Sequence, residues 1–260
     1  MKRALVLGLL VTLAWPIVAQ KAPSPLSAID GSSQLIVVTT PNWNAVDGRL
    51  QRYERSSPGQ PWNAIGEPIP VVVGQRGMGW GLGAVRTDHL QGPDDPVKHE
   101  GDKKAPAGVF GLGSAFGFAA QPPAEWKMPY FALTASTDCV DDSQSRRYND
   151  IADRSKVIHL DWNSAEHMLS VGEAYRWGVF IDQNPAPAKK NAGSCVFMHV
   201  WGGASVGTAG CTAMPQQQIE SILGWLNPSA HPLLAQMPIQ QYLHARESLH
   251  LPALPSGEPQ

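Results

Sequence analysis

The sequence predicts a mainly β domain, and three features predict it. Short runs rich in β-branched and aromatic side chains recur along the chain. The 25 glycines and 23 prolines fall mostly between those runs, where they close turns and interrupt helices. Helical spacing of apolar residues is confined to two stretches.

In chain order, residues 34–39 are a β-branched run, Asp47-Gly48 makes a turn, and residues 49–55 alternate polar and apolar side chains as a returning strand. Further strands are expected at 70–74, 108–112, 130–134, 156–160, 175–181 and 195–201. Residues 164–170 predict a short helix with Ser164 as N-cap. Residues 215–226 predict a longer one, because Ile219, Ile222, Leu223 and Leu226 recur at i, i+3, i+4 and i+7. Pro215 suits its first turn and Asn227-Pro228 ends it. No internal repeat or dividing linker is visible. The expected organisation is a polar linker over 20–33, one domain over 34–250 and a flexible tail over 251–260.

The first nineteen residues read as a signal peptide. Lys2 and Arg3 precede an apolar run over 4–14, Pro16 breaks it, and Val18-Ala19-Gln20 offers cleavage after Ala19. A run of about eleven residues is too short to span a bilayer, so no membrane anchor is expected after cleavage. No cysteine follows to carry a lipid. The expected location is the periplasm or cell envelope. A formal net charge of −2 with scattered Lys and Arg argues against a nucleic-acid partner. In an oxidising compartment the three cysteines, Cys139, Cys195 and Cys211, would form one bridge and leave one thiol. Three pairings are open on this ground alone.

Chemistry concentrates between Gly193 and Pro215. A strand delivers His199 near its end, a loop with Gly202, Gly203 and Gly207 follows, and Thr208-Ala209-Gly210-Cys211 leads towards the helix at Pro215. A thiol just before a helix N-terminus would feel a field that favours thiolate. Neighbouring N–H groups would stabilise the oxyanion of acyl transfer. An imidazole twelve positions earlier supplies a base. The residue types also fit a small buried cysteine and a core histidine. Metal binding by Cys195, His199 and Cys211 fits no common zinc spacing and lacks a fourth ligand.

These residues resemble the L,D-transpeptidase catalytic-domain (YkuD-like) family. Its signature is a His, a Gly-containing loop and then Ser/Thr-x-Gly-Cys, here His199 and Thr208-Ala209-Gly210-Cys211. Ala209 stands where the commoner members have a His, and Ala213 and Met214 stand where they have an Arg or Asn. The spacing from His to Cys is shorter too, so the resemblance is to a divergent branch. The segment from Lys98 through Gly101-Asp102 to Pro106-Ala107-Gly108-Val109-Phe110 is similar to a second family motif. The stretches 139–149 and 175–184 resemble the same branch, so the likeness spans about 34–226.

The resemblance implies a β-sandwich with a few short helices, no cofactor and no metal. It implies peptidoglycan tetrapeptide stems as substrate, and a role in wall synthesis and cell shape. The Cys211 thiolate would attack the carbonyl at the L-centre of the third-position diamino acid. D-alanine would leave, protonated by His199, and a thioester would remain. An amine would resolve it to a cross-link, and water would make the enzyme an L,D-carboxypeptidase. The Gly210 and Cys211 N–H groups would form the oxyanion hole, with Trp201, Thr208 and Tyr148 along the cleft. A backbone carbonyl would orient His199, leaving Asp141, Asp142 and Asp161 as turn or surface residues. If Cys211 must stay free, the bridge is Cys139–Cys195. The alternatives are a hydrolase on the same scaffold that cuts a wall link or protein tether, and a non-catalytic peptidoglycan-binding protein. Carbapenem sensitivity is also implied. Intact-mass analysis should then show one adduct, mapped to Cys211, whereas an adduct on Cys139 or Cys195 would mean another thiol is the reactive one.

Overall fold

The computed structural model describes residues 27–255, so the predicted signal peptide lies outside the described residues. Strand β1 (Gln34–Thr40) is buried along its whole length. Its β-branched residues fill both faces because it is central, antiparallel to β2 (Asp47–Glu54) and parallel to β13 (Leu233–Pro238). β2 turns back into β3 (Asn63–Val72) with a register shift between Leu50 and Arg52, and β4 (Met78–Trp80) is short. The long β5 (Ala105–Gly117) pairs with β13, β4 and β6 (Tyr130–Ala132).

A separate small sheet follows, made of β7 (Thr137–Cys139), β8 (Ile151–Asp153) and β9 (Glu166–His167). The chain returns to the large sheet with β10 (Trp177–Asp182), β11 (Phe197–Val200) and β12 (Thr212–Met214). The order β10–β11–β12–β3–β2–β1–β13–β5 closes because β5 also pairs with β10. The protein is mainly β as expected, and its large sheet closes into a barrel.

Three short α-helices stand among the described residues, besides four 3-10 stretches: α1 (Ser27–Gly31), α2 (Gln216–Trp225) and α3 (Ile239–Ala245). α2 buries Ile219, Ile222 and Leu223, as its spacing predicts, and Pro215 stands at its N-cap. Two aromatic and aliphatic clusters hold the fold. The larger includes Ile36, Val38, Val109, Phe110 and Leu234. The smaller gathers Phe116, Tyr175 and Phe197 with all three cysteines. Its rings meet edge to face at 5.2–5.4 Å, a geometry worth roughly 0.5–1.5 kcal/mol per pair beyond area burial. This second cluster is the floor on which the candidate site rests.

Several expectations are corrected. Residues 156–160 form no strand. A 3-10 turn at Arg154–Lys156 is followed by bends, and Ile158 is 91% exposed. The helix expected at 164–170 is instead β9 and a 3-10 stretch, Met168–Tyr175, broken at Gly172 (φ 79°). Ser164 caps nothing and donates its hydroxyl to Asp141. Asp47-Gly48 belongs to β2 and is no turn. The linker reading fails over 27–33, where Ile29 is fully buried and Arg55 donates to the Ser32 and Ile29 carbonyls. The tail is packed at its start: the Tyr242 hydroxyl donates to Pro252 O at 2.9 Å and that of Tyr53 to Ala253 O at 3.0 Å. Among the described residues no helix is long and apolar enough to cross a membrane.

Candidate active site

Strand pairing explains how Cys211 and His199 share one cleft. β11 and β12 run parallel, with Met198 opposite Thr212. The loop 201–211 must therefore return from the end of β11 to its beginning before β12 can start. Cys211 thus lies level with the start of β11, where the Phe197 N–H donates to Sγ at 3.3 Å and the Cys195 carbonyl oxygen is 3.8 Å away. His199 sits two residues further along the same strand. Two bonds pin the loop to 73–75: Gln75 N–H to Thr208 O (2.8 Å) and Thr208 N–H to Val73 O (2.9 Å). A Cβ on Gly207 would lie 2.5 Å from the Gln75 Cα, so only glycine allows this approach. Thr208 Oγ1 donates to Cys211 O at 2.6 Å and accepts the Gly210 N–H at 3.1 Å, locking the turn.

The site differs from the sequence expectation in one central respect. Thr212–Met214 forms a strand, so Cys211 does not stand at a helix N-terminus. Burial pushes its thiol up to about 12, helped by the nearby Glu166 carboxylate. The Phe197 N–H, the Tyr175 hydroxyl and Lys98 oppose that rise. Burial lowers His199 to about 4, against its bond to Val200. The resting pair is a neutral thiol and a neutral imidazole. His199 Nδ1 lies 2.7 Å from Val200 O. A carbonyl only accepts, so Nδ1 carries the hydrogen and Nε2 presents its lone pair.

The cleft above the pair encloses about 520 Å³. Lys98, Glu166 and Tyr175 line it together with Thr208, Gly210 and the Cys/His pair. Lys98 is buried and ion-paired with Asp102 at 2.5 Å, and its Nζ also donates to His99 O at 2.9 Å. Its stem passes under Gly193, where φ is +91° and a Cβ would meet Lys98 Cε at 2.8 Å. Tyr175 stacks edge-on against the His199 ring at 5.2 Å. Burial raises the Tyr175 hydroxyl well above its ordinary value, and the Cys211 and Glu166 charges push the same way. Burial raises Glu166 to about 6, and its Oε1 is buried without a hydrogen-bond partner.

Of the residues expected along the cleft, Thr208 lines it and Gly210 does so with its N–H already bonded to Thr208. Trp201 and Tyr148 are not in its wall. Trp201 is held by its N–H to Met214 O at 2.9 Å. Tyr148 stands one layer back, donating to Glu100, which also accepts the Ser194 hydroxyl at 2.7 Å. Asp142 and Asp161 tie turns together, whereas Asp141 reaches the cleft. Glu166 and Tyr175 were not singled out from the sequence as site residues. Cys139 and Cys195 form a disulfide with Cα atoms 5.8 Å apart, and Cys211 is free. Bridging removes Cys195 as a metal ligand, and no group of three ligand residues is arranged for a metal among the described residues. No family model, characterised protein or solved structure matches the chain.

Proposed function

We propose that this protein is an exported cysteine acyltransferase of the L,D-transpeptidase type, acting on peptidoglycan stem peptides. One observation carries the reading: the free thiol, Cys211, and an imidazole with an available Nε2 lone pair line the same cleft. The motif resemblance around them supplies the substrate class. Cys211 attacks the stem-peptide carbonyl and D-alanine leaves. An amine or water then resolves the thioester, giving a cross-link or a trimmed stem. His199 Nε2 carries protons between sulfur and the substrate nitrogens. The Cys211 N–H serves as oxyanion donor, a role worth roughly 3–4 kcal/mol in enzymes of this kind. Gly210 joins it when Thr208 releases its N–H. The family's sandwich, as a finer description of the fold, belongs to this same proposal.

The test is incubation of the mature protein with a defined tetrapeptide muropeptide, followed by mass identification of products. Release of D-alanine with a dimer or tripeptide product is expected. Saturable binding without product would replace the enzyme by a wall-binding protein, and cleavage of an existing cross-link alone would replace it by a hydrolase. His199→Ala should lower turnover by about two to four orders of magnitude. A loss of only about tenfold would reduce His199 to orienting the substrate.

A further inference from the structure

We propose that Lys98 and Lys103 hold the carboxylate of the leaving residue beside Cys211, so that the acyl donor must end in a free α-carboxylate. This rests on the reading of Cys211 as nucleophile and deepens it by naming what the cleft recognises on its substrate.

Lys98 is a buried cation for which the fold makes room. Its side chain is only 4% exposed, and its stem fills the space that a Cβ on Gly193 would need. Nζ lies 3.7 Å from where a Cβ on Gly210 would stand, which sets the ammonium beside the residue before the nucleophile. A buried ammonium is costly unless it is paired, and Asp102 pairs with it at 2.5 Å. The same carboxylate accepts the His99 N–H at 2.7 Å and the Lys104 N–H at 2.9 Å, so the pair is held by its own loop. Lys98 donates to Asp102 and to His99 O. An ammonium has three donors, and among the described residues nothing accepts the third. Lys103, further along the loop, is exposed and lines the same cleft, and its ammonium is unpaired among the described residues.

The ligand that fits such a loop is an anion. Over residues 98–104, Lys98, Lys103 and Lys104 face Glu100 and Asp102, which leaves one net positive charge. Glu100 also lines the cleft, but its Oε2 is turned to the Tyr148 and Ser194 hydroxyls. Asp141 and Glu166 line the cleft from the side of the small sheet, after β7 and on β9. They repel a carboxylate on their side and leave the lysine side as its place. In acyl transfer only the leaving nitrogen and its Cα separate that carboxylate from the carbonyl under attack. A cation that holds it must therefore stand next to the nucleophile, and Lys98 does.

Paired alkylation of Cys211 tests the subsite without any stem peptide. Iodoacetate carries a carboxylate, and iodoacetamide is its neutral counterpart. Both react with the same thiolate, so the ratio of their rates cancels any change in thiol ionisation. Cys211 is the free thiol, so the signal is its own. The ratio of iodoacetate to iodoacetamide rates should fall about tenfold in Lys98→Met, the size of a charge-assisted hydrogen bond. Lys103→Gln should lower it about threefold, and Lys103→Glu further. With a tetrapeptide muropeptide, converting the terminal carboxylate to an amide should cost the wild type about tenfold in kcat/KM and Lys98→Met little. A ratio unchanged in all three variants would overturn the proposal, as would equal turnover of acid and amide stems by the wild type. If Lys98→Met fails to fold, the Lys103 variants decide by the same ratio. A ratio that depends on Lys98 in a protein that releases no D-alanine would uphold the subsite and remove the stem peptide as its substrate. D-alanine release with a ratio indifferent to all three variants would do the reverse.

Discussion

Cys211→Ala is expected to release no D-alanine above background while keeping its fold. The chemical loss is complete because no other described thiol is free, since Cys139 and Cys195 are bonded to each other. The structural loss should be small but measurable. Cys211 is only 6% exposed, and its Sγ accepts the Phe197 N–H at 3.3 Å. Alanine leaves that buried donor unpaired, at about 1–3 kcal/mol, so Tm should fall by several degrees with the circular-dichroism spectrum unchanged. Cys211→Ser places an oxygen acceptor at the site and should recover part of that stability without recovering turnover. Wild-type release of D-alanine by the alanine variant would remove Cys211 as nucleophile. A variant that does not fold would leave the serine variant to carry the same comparison.

The parts of this molecule legible in the sequence are those written locally. β1 is readable because its β-branched residues are contiguous, and α2 because Ile219, Ile222 and Leu223 repeat at helical spacing. His199 and Cys211 are readable because one continuous segment carries both. Glu166 is not, because its place depends on pairing with Cys139 across the small sheet. Residues 165–169 (Ala-Glu-His-Met-Leu) carry good local helix formers, yet pairing with β7 and the left-handed Gly172 override that preference. β13 lacks β-branched residues and ends in proline, so its strand character comes from its partners β1 and β5. The expected helix field at Cys211 fails for a similar reason. Three apolar or small residues, Thr212–Met214, are too short a run to announce a strand, and pairing with Met198, His199 and Val200 makes them one. Barrel closure through β5 and β10 joins segments distant in sequence, and no local pattern specifies it.

Removing the disulfide is expected to produce the largest loss of stability and to uncouple the small sheet from the nucleophile. Cys139 and Cys195 are 56 positions apart. A bridge of that span restricts the unfolded chain by roughly 4 kcal/mol on the loop-entropy estimate. At about 2–4 °C per kcal/mol for a domain of this size, Cys139→Ser/Cys195→Ser should lower Tm by roughly 8–16 °C. The functional consequence follows from what each half holds. Cys139 pairs with Glu166 in the small sheet, and the Cys195 carbonyl lies beside the Cys211 sulfur. The bridge therefore fastens the strand that bears Glu166 to the segment against which the thiol packs. The double variant, assayed well below its own Tm, should release D-alanine more slowly than wild type even where its circular-dichroism spectrum matches, because the segment against which the thiol packs is no longer fastened. Thiol titration of the denatured, unreduced wild type should count one free thiol, and three after reduction. Three before reduction, or a Tm within about two degrees of wild type in the double variant, would mean that packing of Phe116, Tyr175 and Phe197 alone holds the two sheets together.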